Sequence, residues 1–211
     1  MTIIASDTFA RANQSGWGTA SDTEVWSHPI GSNPLNISSN EGTISGGFSR
    51  DIMILGSATT TDCDGKIGVT KTSSDGIWIV LRATDGNNHY AMSHSNDNSG
   101  NLQIDKVVGG SNTTLAQTSF SFTDGTPQWL RGQIIGTTLK VKMWAQSGSE
   151  PGAWNLTVTD ATYASGKYGL GAALRSNATT VQFDHFTVDN TLISTGENAH
   201  MQTKRIGHIL P

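Results

Sequence analysis

Three stretches of alternating residues put aromatic and cationic side chains on a shared face. In Lys140–Gln146, residues Lys140, Lys142, Trp144 and Gln146 fall on one side and Val141, Met143 and Ala145 on the other, because successive side chains of a strand point to opposite faces. Upstream, Trp129, Arg131 and Gln133 alternate with Leu130, Gly132 and Ile134, and Trp78 and Arg82 recur in the same way within Ile77–Ala83. Indole rings stack against sugar rings, and Arg or Lys donates to hydroxyls or pairs with acidic sugars. The expectation is a glycan-binding stripe of Trp78, Arg82, Trp129, Arg131, Lys140, Lys142 and Trp144 on the outer face of one sheet. The alternative is an ordinary solvated face whose long side chains cover the tryptophans.

Groups for hydrolysis or elimination are scattered. The glutamates (Glu24, Glu41, Glu150 and Glu197) are far apart in sequence, and no nucleophile elbow, phosphate loop or His-Glu-x-x-His motif occurs. A lyase needs a Tyr or His base beside a charge-neutralising group, for which Tyr90, His89, His94 and Arg82 are the nearest candidates. The single cysteine, Cys63, excludes an intramolecular disulfide and a four-cysteine zinc site and reads as a buried thiol. Asp62-Cys63-Asp64-Gly65 lacks the later ligands of a calcium loop and reads as a tight turn.

The elements that must position these residues are strands. Charged residues make up 14% of the chain and 24 of 211 residues are glycine, a turn-rich, β-branched composition rather than a helical one. Period-two segments run over 51–55, 66–71, 77–83, 89–95, 102–108, 113–118, 128–135, 138–145, 168–174 and 180–188, separated by turns such as Asp85-Gly86-Asn87-Asn88 and Gly109-Gly110. Even spacing without a helical stretch predicts an all-β, two-sheet antiparallel sandwich over residues 1–189. Residues 190–211 read as a separate C-terminal arm, with Ile206, Ile209 and Leu210 as candidate oligomer contacts.

A net charge of −4 argues against nucleic acid as a partner, and no apolar run is long enough for membrane insertion. The N-terminal residues show no charged region, apolar stretch or cleavage site of a signal peptide.

Asp7-Thr8-Phe9-Ala10-Arg11, Gly16-Trp17-Gly18-Thr19-Ala20 and Trp26 resemble the opening of concanavalin A-like (laminin-G-like) jelly-roll domains, found in phage virion and tail proteins and in bacterial surface proteins. Leu81–Asp85, Trp144, Glu150-Pro151, Trp154, Gly166–Leu170 and Phe183–Val188 continue the resemblance, which covers about residues 3–189. It implies pairing of the first and last strands, which would bring Asp7 towards Asp184 as a candidate calcium site. Retaining glycosidases of this fold carry Glu-x-Asp-x-x-Glu on one strand, and that spacing is missing here, so no catalytic residues are assigned. The function expected is a non-catalytic phage virion protein, of head-decoration or tail-fibre type, assembled in the host cytoplasm as a homo-oligomer such as a trimer with other virion proteins. Cell-surface polysaccharide is the candidate ligand. The alternative is a carbohydrate-binding module or a polysaccharide-degrading glycosidase or lyase.

Overall fold

The computed structural model describes residues 2–72, 75–95, 100–176 and 179–190. The strands among them are, in chain order, β1 (Thr2–Asp7), β2 (Gln14–Ser15), β3 (Trp26–Ile30), β4 (Leu35–Ser38), β5 (Glu41–Gly46), β6 (Arg50–Leu55), β7 (Cys63–Lys71) and β8 (Gly76–Asp85). There follow β9 (Asn88–Ser95), β10 (Asn101–Val108), β11 (Ser111–Ser119), β12 (Gln128–Ile135), β13 (Thr138–Ala145), β14 (Leu156–Thr159), β15 (Lys167–Ala173) and β16 (Thr179–Asn190). They form two antiparallel sheets. One has nine strands, in the order β14-β13-β12-β7-β16-β5-β4-β2 with β1 also on β16; the other has seven, in the order β11-β10-β9-β8-β15-β6-β3. The expected all-β sandwich is the observed fold.

Its core follows from the alternation. Ile67, Val69, Leu130, Ile134, Val141 and Phe183 of the nine-stranded sheet meet Ile77, Ile79, Leu81, Met92, Ile104 and Leu170 of the seven-stranded one, all essentially inaccessible. Each such side chain contributes about 1.5–3 kcal/mol by leaving water. Cys63 belongs to this core, where burial pushes its thiol up to about 12. Asp62–Gly65 is not a tight turn: β7 begins at Cys63, and Asp64 is held by Arg131 from β12.

The first and last strands pair as the resemblance implied, from Thr2↔Asn190 to Asp7↔Phe186. The long β16 gives its first half to β5 and its second half to β1, and the bulge between them contains His185 at φ +50°. The strand thus ends at Asn190, one residue beyond the predicted edge of the body. Residues 191–211, with Ile206, Ile209 and Leu210, lie outside the described residues.

One departure from flat strands shapes the outer surface. β8 and β9 pair regularly up to Leu81↔Tyr90, then slip to Asp85↔Asn88, and Arg82 adopts φ +50° at the bulge. The hairpin end therefore arches over the sheet and sets Gly86 against Pro29 and Ile30 of β3, on the far side of β15 and β6. A small second core of Ile52, Ile54, Val80 and Ala83, with Ile30 and Trp78 against it, lies on this outer side. The β10–β11 turn, with Gly109 and Gly110 both at positive φ, joins the arch through Gly110 N–H to Asn87 C=O (2.9 Å).

Candidate functional site

The predicted stripe divides between the two sheets. Trp129, Arg131, Lys140, Lys142 and Trp144 do share one face of the nine-stranded sheet, with Trp129 opposite Trp144, Arg131 opposite Lys142, and Gln133 opposite Lys140. Trp78 and Arg82 belong to the other sheet, because the chain crosses the sandwich between β7 and β8. Periodicity reveals which residues share a face of a strand, but not which sheet the strand joins.

Of the five that remain together, the cations are largely spent on other residues of the chain. Arg131 donates through Nε and Nη2 to the two oxygens of Asp64 (2.7 Å each) and through Nη1 to Glu150. These bonds hold its guanidinium above the usual arginine range. Lys142 pairs with Glu150 (2.6 Å) and donates to the Pro151 carbonyl (2.8 Å). The loop after β13 lays Trp154 over the cations, its ring 4.7 Å from Lys142 Nζ and 5.6 Å from the Arg131 guanidinium carbon. Trp144 is only 8% exposed. A cavity of about 200 Å³ remains between Asp64, Lys66, Arg131, Glu150, Thr187 and Asp189. Arg131 and Lys142 of this face are thus paired with Asp64 and Glu150 and lie beneath Trp154.

Arg82 is likewise structural. It is 2% exposed and donates to the carbonyls of Thr61 (2.6 Å) and Tyr163 (2.9 Å), tying two loops to the β8 bulge.

Trp78 has a different setting. The outward row Gly171–Trp78–Ser93–Gln103 runs across β15, β8, β9 and β10. The indole lies over Gly171, where a β-carbon would stand 1.8 Å from Trp78 Nε1, so only glycine leaves room for the ring. Around it the arched hairpins enclose a cleft of about 250 Å³, lined also by Arg50, His89, Ser93, Gln103, Asp105 and Arg175. Asp105 is buried, and its two oxygens accept from the hydroxyls of Ser93 (2.8 Å) and Thr114 (2.7 Å). Burial raises the pKa of this carboxyl.

Among the described residues, three polar atoms of the cleft have no partner. Trp78 Nε1 is buried without one, and so are both ring nitrogens of His89, a residue with no accessible surface. Burial, reinforced by the nearby Arg50 charge, pulls the His89 imidazole down to about 4, so it is neutral at pH 7. Arg50 reaches the arch only through long contacts, Nη2 to Gly86 C=O (3.3 Å) and Nη1 to Gly110 C=O (3.5 Å). Buried polar groups left unpaired by the protein mark a place prepared for a ligand or water. Of the cleft's residues, sequence pattern singled out Trp78 for glycan binding and His89 only as a scattered lyase candidate. Cross-strand register could have added Ser93 and Gln103, whereas the bulge that brings in Arg50 and His89 has no sequence signature.

The lyase candidates do not converge. His89 faces the cleft, but Tyr90 turns to the opposite side of β9, where its hydroxyl donates to Asp160 (2.6 Å). His94 is buried with Lys71 Nζ at 3.4 Å and the Phe120 carbonyl at 3.0 Å.

Asp7 and Asp184 do not form the expected calcium site. The Asp7 carboxylate, fully buried, accepts from both Arg11 Nη atoms (2.7 and 3.0 Å), the Trp26 indole N–H (2.7 Å), the Phe9 amide (2.8 Å) and the Ser21 hydroxyl (3.2 Å). Its lone pairs are occupied by donors, and Arg11 already supplies the positive charge. Asp184 pairs instead with His185 (2.5 Å). Among the described residues, no group of three or more His, Cys, Asp or Glu side chains is arranged to hold a metal ion.

No protein-family model matches the chain, and no curated protein matches it in sequence. Solved structures do match in three dimensions. The carbohydrate-binding module CBM66 from Bacillus subtilis superposes with a TM-score of 0.63 at 14% identity, covering 78% of this chain and 94% of that one. The exoplasmic/lumenal domain of VIP36, in a form bound to Ca2+ and Man3GlcNAc, gives 0.61 at 10% identity over 81% and 84%. The carbohydrate recognition domain of Emp46p, in a metal-free form, gives 0.60 at 11% identity over 80% and 89%. The fold is therefore the concanavalin A-like, lectin-type jelly roll. Within it, this chain has a partly roofed cleft built around Trp78 and Gly171.

Proposed function

We propose that the protein is a non-catalytic carbohydrate-binding module whose glycan enters the cleft on the outer face of the seven-stranded sheet. The observation that carries this reading is the Trp78 ring laid over Gly171, with unpaired donors beside it in a walled cleft. An aromatic platform edged by a few convergent polar groups is the usual construction of a sugar subsite. The similar structures that are themselves carbohydrate-binding support it.

The test is a polysaccharide array followed by calorimetric titration of the best hit. Trp78→Ala is expected to weaken binding about 30-fold or more, the ~2 kcal/mol of an aromatic anchor. Trp144→Ala is expected to change it by less than about twofold while lowering the melting temperature, because that ring packs rather than contacts ligand. An array without hits, or binding that follows Trp144 and ignores Trp78, would reject the proposal.

Assembly into a virion as a homo-oligomer through residues 190–211 is a separate proposal, carried by the sequence alone. It predicts a defined oligomer that becomes monomeric when Ile206, Ile209 and Leu210 are replaced by Ser. A monomeric full-length chain would refute it.

A further inference from the structure

We propose that the cleft selects a sugar bearing a carboxylate, such as a uronic acid residue of a polysaccharide, with the Arg50 guanidinium as its anchor and the Trp78 ring as its platform. The inference rests on the glycan reading of the same cleft and adds the chemical class of the ligand.

Donors and acceptors in the cleft are unequally used. The lining carboxylate, Asp105, has both oxygens engaged by Ser93 and Thr114. The Trp78 N–H is unspent, and so is the one proton that a neutral His89 ring carries. Among the described residues, Arg50 meets only two backbone carbonyls, at 3.3 and 3.5 Å, beyond the usual range of 2.7–3.2 Å for N–H···O. Among the described residues, no carboxylate is paired with it, and no neighbouring charge offsets the effect of burial on it. What the cleft lacks is a strong acceptor.

Charge points the same way. Arg50 lines the cleft, and among the described residues no carboxylate is paired with it to match its charge. On the other sheet, Arg131 is matched by Asp64 and Glu150. Hydroxyls of a neutral sugar would accept hydrogen bonds from Arg50 but leave its charge without a counter-ion in a partly dry cleft. A carboxylate supplies the acceptor and the counter-charge together, in the planar geometry a guanidinium fits.

The test titrates the full chain with polygalacturonate, alginate and hyaluronan oligosaccharides, each beside its carboxyl-reduced form. The expected result is binding of at least one acidic form about tenfold or more tighter than its reduced partner, a preference that shrinks as salt is raised. Arg50→Gln should abolish the preference, and Trp78→Ala should weaken both forms. Arg50 also braces the hairpin arch, so circular dichroism and melting would check that Arg50→Gln folds; the reduced sugars put the same question to the unaltered chain. Equal affinity for acidic and reduced forms would overturn the carboxylate inference and leave the glycan reading standing. Failure to bind any of these sugars, together with an array without hits, would overturn both.

Discussion

Asp7→Ala is expected to cost about 3–5 kcal/mol of folding stability, the loss typical when one partner of a buried ion pair is removed. The carboxylate stands at the end of β1 and holds Arg11, the Trp26 indole and the Phe9 amide together. Those groups frame an aromatic cluster in which Trp17 meets Phe9, Trp26 and Phe183 at ring separations of 5.3, 5.1 and 5.6 Å, and Trp26 meets Phe186 at 5.5 Å. Without Asp7, the Arg11 guanidinium loses its counter-charge and keeps the Trp17 carbonyl (2.6 Å), while the Trp26 indole N–H loses its acceptor beside that cluster. Urea denaturation should show the same loss in EDTA and in calcium chloride, because Arg11 already fills the place a cation would take. Asp184→Ala should change stability by no more than about 0.5 kcal/mol, as expected for a part-exposed pair. A loss that depends on calcium, or a large effect at Asp184, would restore the metal site that the structure argues against.

Stability should also fall steeply in mild acid. His89 and His94 are both inaccessible, and burial pulls each imidazole from 6.5 down to about 4. Between those two values the unfolded chain binds more protons than the folded one, so stability rises with pH across the window. It is fully present above pH 6.5 and is lost as pH falls towards 4. Each histidine accounts for on the order of 3 kcal/mol over that interval. Chemical denaturation at a series of pH values would measure the slope, and His89→Gln should flatten about half of it while leaving His94 to titrate. A curve that is level from pH 7 to 5, or that rises in acid, would contradict the buried neutral state of both rings.

Much of the fold was legible in the sequence for a definite reason. From Asp51 onward the alternation is long and regular, and the strands it predicts are found with small shifts at their ends. The first fifty residues were opaque because β2 to β5 are only two to six residues long and are interrupted by turns. The resemblance at Asp7–Arg11, Trp17 and Trp26 has a physical basis: these residues build the carboxylate-centred aromatic cluster that closes one end of the sandwich. The calcium expectation placed Asp7 near the right strand but missed that Arg11, four residues away, is its partner.

The candidate site was legible only in part. Alternation put Trp129, Arg131, Lys140, Lys142 and Trp144 on one face correctly, but gave no warning that Asp64, Glu150 and Trp154 would return from elsewhere to neutralise and cover them. Trp78 was identified and assigned to the wrong sheet. Its cleft depends on Gly171 from β15 and on the bulge at Arg82, and both act through pairings distant in sequence.

The central claim is that a glycan binds on the seven-stranded sheet at Trp78. Six tryptophans give six indole N–H signals, so the most direct measurement is a proton–nitrogen correlation spectrum recorded during titration with a bound oligosaccharide. The Trp78 indole signal should shift, together with backbone amides of Ser93, Gln103 and Asp105, while the signals of Trp129, Trp144 and Trp154 stay in place. Shifts at Trp129, Trp144 and Trp154 with Trp78 unmoved would place the ligand on the opposite sheet and contradict the account.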